Sequence, residues 1–254
     1  MAQNGQLRIV ILKWDRLYGD LIRRHIWDVW PNAIVCAFQH GIDALNEIQD
    51  QTPDLFVTGV AVEDMDGLEH LEPFIHKPVP ILIVTSRPNT LMFEMLREIR
   101  YDGIFDGSSE GMDHLPVALR QVMQRRHYVS PSLVPFLKER KSVTLEALTE
   151  REQIVLSVIG DGSDNKEASK RLGISVYTVM THRNAILRKL GLHHSKELMQ
   201  YALVHGYVVI TAKGIYRPGF QRRIGFTPDR CATGHCVEVR APVNEENEVT
   251  AFDS

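Results

Sequence analysis

Cysteine is scarce in this chain: there are three among 254 residues, an odd number that argues against a disulfide framework and suits a reducing compartment. Long apolar runs are missing as well. No stretch approaches the roughly 18 consecutive apolar residues of a membrane helix, and the polar opening Met1–Leu7 has no signal-peptide core. Neither sign of charge dominates. With 29 basic and 32 acidic residues the formal net charge is -3, so the chain as a whole does not declare a polyanionic partner. These absences disfavour secretion, membrane insertion and a disulfide mini-scaffold, and they predict a cytoplasmic protein. What is there is a globular composition, 44% hydrophobic and 24% charged, on a length above one ordinary domain of about 100–200 residues. Two domains are expected.

The first half alternates strand and helix. Leu7–Leu12 (LRIVIL), Ala33–Phe38 (AIVCAF), Asp54–Val60, Val79–Thr85 (VPILIVT) and Gly103–Phe105 are short runs of the kind that form buried strands. Between and after them, Tyr18–Trp30, Gly41–Asp50, Leu91–Ile99 and Met112–His127 carry apolar residues at helical spacing. This order predicts an α/β unit over residues 1–126: a flavodoxin-like domain with a parallel five-stranded sheet, covered by helices on both faces. The working residues of such a domain stand at the carboxyl ends of its strands.

On those strands, and on Pro53–Gly67 (PDLFVTGVAVEDMDG) with its Met65-Asp66-Gly67, the segment Leu7–Arg126 resembles the receiver domain of response regulators. The resemblance implies a phosphoryl-accepting Asp at position 59, an acidic pair for Mg²⁺ after the first strand, a switch Thr or Ser after the fourth, and a lysine after the fifth. The chain has Gly59 for the acceptor, Lys13 and Trp14 for the acidic pair, Thr85 for the switch and Gly107 for the lysine. Glycine cannot be an acyl-phosphate nucleophile, and neither an ammonium nor an indole supplies oxygen to magnesium. Only the switch residue survives in what looks like a degenerate phosphorylation pocket. The alternative is a slipped register that recruits Asp15, Asp54, Glu63, Asp64 or Asp66; a slip of one residue, however, turns a strand's other face to the pocket.

Residues 127–147 read as a linker, with Pro131 and Pro135 interrupting helix and a basic cluster at Lys138, Arg140 and Lys141. Residues 148–206 then spell four helices. Thr149 with Glu152 three residues on is a capping box. Asp164 and Ser175 cap the next two helices, Asn165–Leu172 and Val176–Leu190, which are joined through Gly173, and Ser195–His205 forms the fourth. Two helices joined by a tight turn containing glycine make a helix-turn-helix, whose second helix can enter a major groove. Charge concentrates here: Ser163–Leu192 holds six basic and two acidic residues, a local +4 inside a chain of -3.

The pieces Leu148–Glu152, Asn165–Ala168, Leu172–Ser175, Thr181-His182-Arg183 and Ile186–Gly191 closely resemble the LuxR-type DNA-binding domain, over about Leu148–Gly206. Helical spacing puts Tyr177, Met180, Thr181 and Asn184 on one outward face as base-edge readers. Asn165, Lys166, Ser175, Thr178, Arg188 and Lys189 are expected at phosphates, Asn165 alternatively as a cap. The resemblance further implies a homodimer on promoter duplex, with Ser195–His205 as the dimer element. Residues 207–254 are an extension. Within it Tyr207–Ala212 could be a strand, Lys213–Arg230 is either a phosphate-touching arm or a solubilising tail, and Cys231-x4-Cys236 with His235 does not make a zinc set.

The whole reads as a sequence-specific transcriptional regulator and not an enzyme, with no cofactor or metal expected. Its receiver-like domain serves either as a dimerisation and partner-docking platform or as a small-ligand site in the vacated pocket with Trp14 as a lid. The alternative is an interaction protein that docks on another regulator and binds DNA weakly by itself.

Overall fold

The computed structural model describes residues 6–60, 62, 64–65, 68–74, 78–97, 99–138, 148–211, 214–217 and 238–239. The five expected strands are present as β1 (Arg8–Leu12), β2 (Ile34–Phe38), β3 (Leu55–Thr58), β4 (Ile81–Thr85) and β5 (Gly103–Asp106). The sheet is wider than expected. Tyr128–Val129, read above as the start of the linker, form a sixth parallel strand, β6, beside β5. A two-residue strand in the extension, β9 (Glu238–Val239), pairs antiparallel with β2 at the opposite edge. The order is β6-β5-β4-β3-β1-β2-β9. Two-residue strands carry no readable alternation, so neither addition was visible in the pattern.

The sheet divides its side chains by the strand's period of two. Ile9 and Ile11 of β1 point to one face and Val10 and Leu12 to the other. On the first face, helices α1 (Arg16–Val29) and α4 (Leu115–Met123) bring Ile22, Ile26, Leu119 and Val122 over Val57, Val84 and Phe105. On the second, helices α2 (Gly41–Asp50) and α3 (Thr90–Leu96) and a 3-10 turn at Glu69–Phe74 cover Phe56, Ile81 and Ile83 with Ile48, Phe74 and Leu96. Helix α4 is shorter than the expected Met112–His127. It begins after a 3-10 turn at Met112–His114, and shortly after its end Arg125 takes φ 61, a left-handed conformation that a helix cannot continue through. A short helix α5 (Val134–Lys138) follows β6. The basic cluster's Arg140 and Lys141 lie outside the described residues.

The second unit is the four helices α6 (Glu150–Ile159), α7 (Asn165–Leu172), α8 (Val176–Leu190) and α9 (Ser195–Val204). Their caps are as read: Thr149 with Glu152 in a reciprocal capping box, Asp164 accepting from the Glu167 amide, and Ser175 from the Thr178 amide. Gly173 and Gly191 close α7 and α8 at φ 64 and 66, the left-handed position that other residues occupy at a cost. Val155, Leu156, Ala168, Val179, Ile186 and Leu198 make the core. The extension's strand is β7 (Val209–Thr211), paired antiparallel with β8 (Gly214–Tyr216) in a hairpin. The sequence motif around Cys231 and Cys236 lies outside the described residues.

Ile186 is inaccessible to solvent at the centre of the helical core. Ile186→Ala is expected to destabilise the protein by about 2–5 kcal/mol, read by urea or thermal denaturation.

Candidate nucleic-acid interface

Helix α8 has one stripe in the core and one in solvent. Val179 and Ile186 are fully buried, whereas Tyr177 is 73% and Met180 41% exposed. Thr181 and Asn184 are exposed beside them. The four residues expected on one outward face do share it, and Met180 belongs to that face and not to the core. Ser175 and Thr178 stand at the helix start, with their hydroxyls 2.7 Å apart. The Thr181 hydroxyl donates to the Tyr177 carbonyl at 3.0 Å.

The basic residues sort into two groups that the sequence could not separate. Arg183 donates from Nε to Asn165 Oδ1 at 2.8 Å and from its guanidinium to the Ser163 carbonyl at 2.7 Å, tying α8 to the start of α7. Asn165 thus has its side-chain oxygen engaged within the fold. Arg171 binds Asp161 and Glu167. Lys189, grouped above with the phosphate contacts, donates from Nζ to Glu152 Oε2 at 2.7 Å. Lys166, Lys170 and Arg188 remain exposed. The Glu152 carboxyl is nearly buried. Burial alone would raise its pKa, but hydrogen bonds from Lys189 and Thr149 outweigh it and hold the group below the usual carboxylate range. One residue therefore closes the capping box and pins the far end of α8.

The pocket of the receiver-like domain is filled by the chain's own side chains. Lys13 is buried and donates from Nζ to the Val84 carbonyl at 2.8 Å. Its ammonium lies 4.6 Å from the centroid of the Tyr18 ring, a cation–π contact. A side chain at position 59 would meet it: a Cβ there would sit 3.0 Å from Lys13 Nζ. A Cβ at position 107 would strike the Tyr18 hydroxyl. Gly59 and Gly107 thus leave the space that the Lys13 and Tyr18 side chains occupy. The ring over Lys13 is Tyr18, while Trp14 is half-buried and its carbonyl accepts from Gln39. Thr85 is buried, and its hydroxyl accepts from the Arg87 amide at 3.2 Å.

The carboxylates of a slipped register have other work. Asp15 caps α1, Asp54 accepts from the Arg8 amide, and Asp64 accepts from the amides of Gly41 and Ile42 at the start of α2. Glu63 and Asp66 lie outside the described residues. Among the described residues there is no cluster of three or more His, Cys, Asp or Glu able to hold a metal. No helix among them is long and apolar enough to cross a membrane.

Burial lowers the Lys13 pKa to about 8, with Asp15 opposing. Between about 8 and the ordinary value of 10.5, the unfolded chain holds a proton that the folded chain has released, so stability rises with pH across that window. Lys13→Met is expected to abolish that rise and, by removing a buried charge, to raise stability at pH 7. Urea denaturation from pH 7 to 10 reads both. Glu152→Ala removes a cap and the partner of Lys189. It should cost about 1–3 kcal/mol at neutral pH, and less in acid, because the contribution is present above the ordinary value of 4.5 and lost as pH falls through the lowered one.

Comparison with known proteins agrees with both halves. The family model described as bacterial regulatory proteins, luxR family, matches residues 146–202. The response regulator protein VraR of Staphylococcus aureus is 26% identical over 174 residues, which is 66% of this chain and 82% of VraR. The VraR of Staphylococcus saprophyticus is 24% identical over 181 residues. Among solved structures, the RcsB response regulator of Salmonella typhimurium aligns with a TM-score of 0.51 at 18% identity, covering 77% of this chain and 98% of RcsB. RcsB bound to the promoter rprA aligns at 0.53 and 17% identity. At such identities these structures speak for the fold. Residues 146–202 thus match the luxR family of bacterial regulatory proteins, and with a receiver-like domain before them the chain is similar in build to response regulators such as VraR and RcsB.

Proposed function

We propose that this chain is a cytoplasmic, sequence-specific transcription regulator that binds promoter DNA as a homodimer, and that its receiver-like domain is not switched by aspartyl phosphorylation. The observation that carries the first part is the outward face of α8, with Tyr177, Met180, Thr181 and Asn184 free to meet base edges at the N-terminal half of a helix whose other stripe is locked in the core. Asn184 can read adenine with two hydrogen bonds, and Met180 offers an apolar surface to a thymine methyl. Lys166, Arg188, Ser175 and Thr178 flank that face with charge and hydroxyls suited to phosphate oxygens. A further solved structure similar in fold, at a TM-score of 0.51 and 19% identity, is of two RcsB dimers bound to two parallel DNAs, and two copies of this chain on half-sites about 34 Å apart would multiply the modest grip of one helix.

Gly59 carries the second part. It removes the acceptor, and the Lys13 ammonium stands where the side chain would be. A buried lysine there also leaves a divalent cation without oxygen ligands and with a like charge beside it. The room that a small ligand would need is occupied by Lys13 and Tyr18, which favours a platform for dimerisation or docking over a ligand pocket.

Thr181→Ala and Asn184→Ala should each relax site choice by about 1–3 kcal/mol, measured by titrating the preferred operator against scrambled duplex. Lys166→Ala and Arg188→Ala should weaken every sequence alike and lower the salt slope by about 1 each. With Mg²⁺ and a small phosphodonor, intact mass is expected to show no stoichiometric adduct labile to hydroxylamine. Such an adduct, or indifference of the wild-type protein to promoter over scrambled duplex, contradicts the corresponding half of the proposal.

A further inference from the structure

Response-regulator domains joined by a linker are expected to move relative to one another, because interfaces within a chain are usually small and polar. Here the two cores run into each other. Leu91, in the first turn of α3, is buried within the core of the helical domain and not that of its own sheet. Met95, one turn on, packs against both cores. Polar contacts frame this apolar joint. The Thr90 hydroxyl is hydrogen-bonded to His205 Nδ1 at 3.0 Å, and the Leu91 amide donates to the His205 carbonyl at 3.2 Å. Gly206 follows at φ 85, and a Cβ there would strike the side-chain amide of Asn89, the residue that caps α3. Position 206 therefore needs glycine twice over, for its backbone conformation and for the close approach of the other domain.

The hairpin after the helical domain adds a second tie. Arg217, just past β8, donates from Nε to the Ser157 carbonyl at 2.9 Å and pairs with Asp161, so its end is fixed to the helical domain. One residue earlier, the Tyr216 hydroxyl donates to the Met65 carbonyl of the receiver-like domain at 3.4 Å. Val209 of β7 lines the same boundary as Leu91 and Met95. With both ties closed, Tyr177 and Met180 on α8 are still exposed, so the joint consumes the C-terminal end of the helical domain and leaves the reading face uncovered.

We infer that α3, the His205–Gly206 turn and the C-terminal hairpin form a standing latch that holds the two domains as one body with the recognition helix open, so that the protein engages DNA without its domains parting. The consequence for DNA rests on the reading of α8 given above; the latch itself does not.

The test replaces Thr90 and His205 by cysteine in a full-length background carrying Cys231→Ser and Cys236→Ser. Mild oxidation is expected to close a disulfide across the joint in most molecules, read by intact mass and peptide mapping. The oxidised protein should bind the wild-type protein's preferred operator within about threefold of its reduced form. Failure of the cross-link in a protein that still melts cooperatively overturns the latch, as does a cross-linked form bound more than about tenfold more weakly, since the joined state would then be the closed one. Gly206→Val, which forces Asn89 away, gives an independent reading: solution scattering should report a larger radius of gyration, and an unchanged radius also overturns the latch. If wild type, oxidised and reduced forms all bind every duplex equally poorly, the DNA reading fails, while cross-link yield and scattering still decide the latch.

Discussion

A helix that reads a groove must be held by one side only. Val179 and Ile186 hold α8 from the core, but two apolar residues fix a helix's height better than its rotation. Polar bridges at its middle and in its last turn add to that hold. Arg183 ties α8 to Asn165 and the Ser163 carbonyl, and Lys189 ties its last turn to Glu152. Because Glu152 is also the capping residue of α6, the start of one helix and the end of another share a carboxylate. Each bridge uses a basic residue that composition alone would assign to DNA. The local excess of positive charge is therefore smaller in effect than its count. Structural cations and functional ones are the same residue types, and only their distances separate them.

In the receiver-like domain the carboxyl ends of the strands are organised around a buried lysine. A buried ammonium is costly unless it is satisfied, and Lys13 is satisfied by a carbonyl and an aromatic face. That arrangement needs space at positions 59 and 107, where glycine provides it. Restoring an acidic side chain at 59 would place it against Lys13, as an internal ion pair in the space where a phosphoryl group would have to enter.

The joint between domains and the filled pocket are consistent with each other. A receiver that changes shape on phosphorylation needs an output face free to change partners, whereas here Leu91 of α3 is spent as a core residue of the neighbouring domain. A buried apolar side chain shared across a boundary resists separation far more than surface ion pairs do. The physical picture is of one continuous body across the two cores.

Periodicity and capping residues determined most of the fold from the sequence: five buried strands, the four helices from Thr149 onward, and the outward grouping of Tyr177, Met180, Thr181 and Asn184 all follow from spacings of two and of three to four residues. The glycines at 59 and 107 also stood out as positions without a side chain where the receiver resemblance expects an acid and a lysine. Local pattern did not reach the rest. Strands as short as Tyr128–Val129 have no period to read, and Arg125 ended α4 through a backbone conformation rather than a residue type known to break helices. Tertiary structure alone decided that Tyr18 and not Trp14 covers Lys13, that Lys189 and Arg183 brace the fold, and that Leu91 belongs to the second core. Each of these depends on which groups meet across 5 to 115 positions of sequence, a distance over which a linear pattern holds no information but a closed packing does.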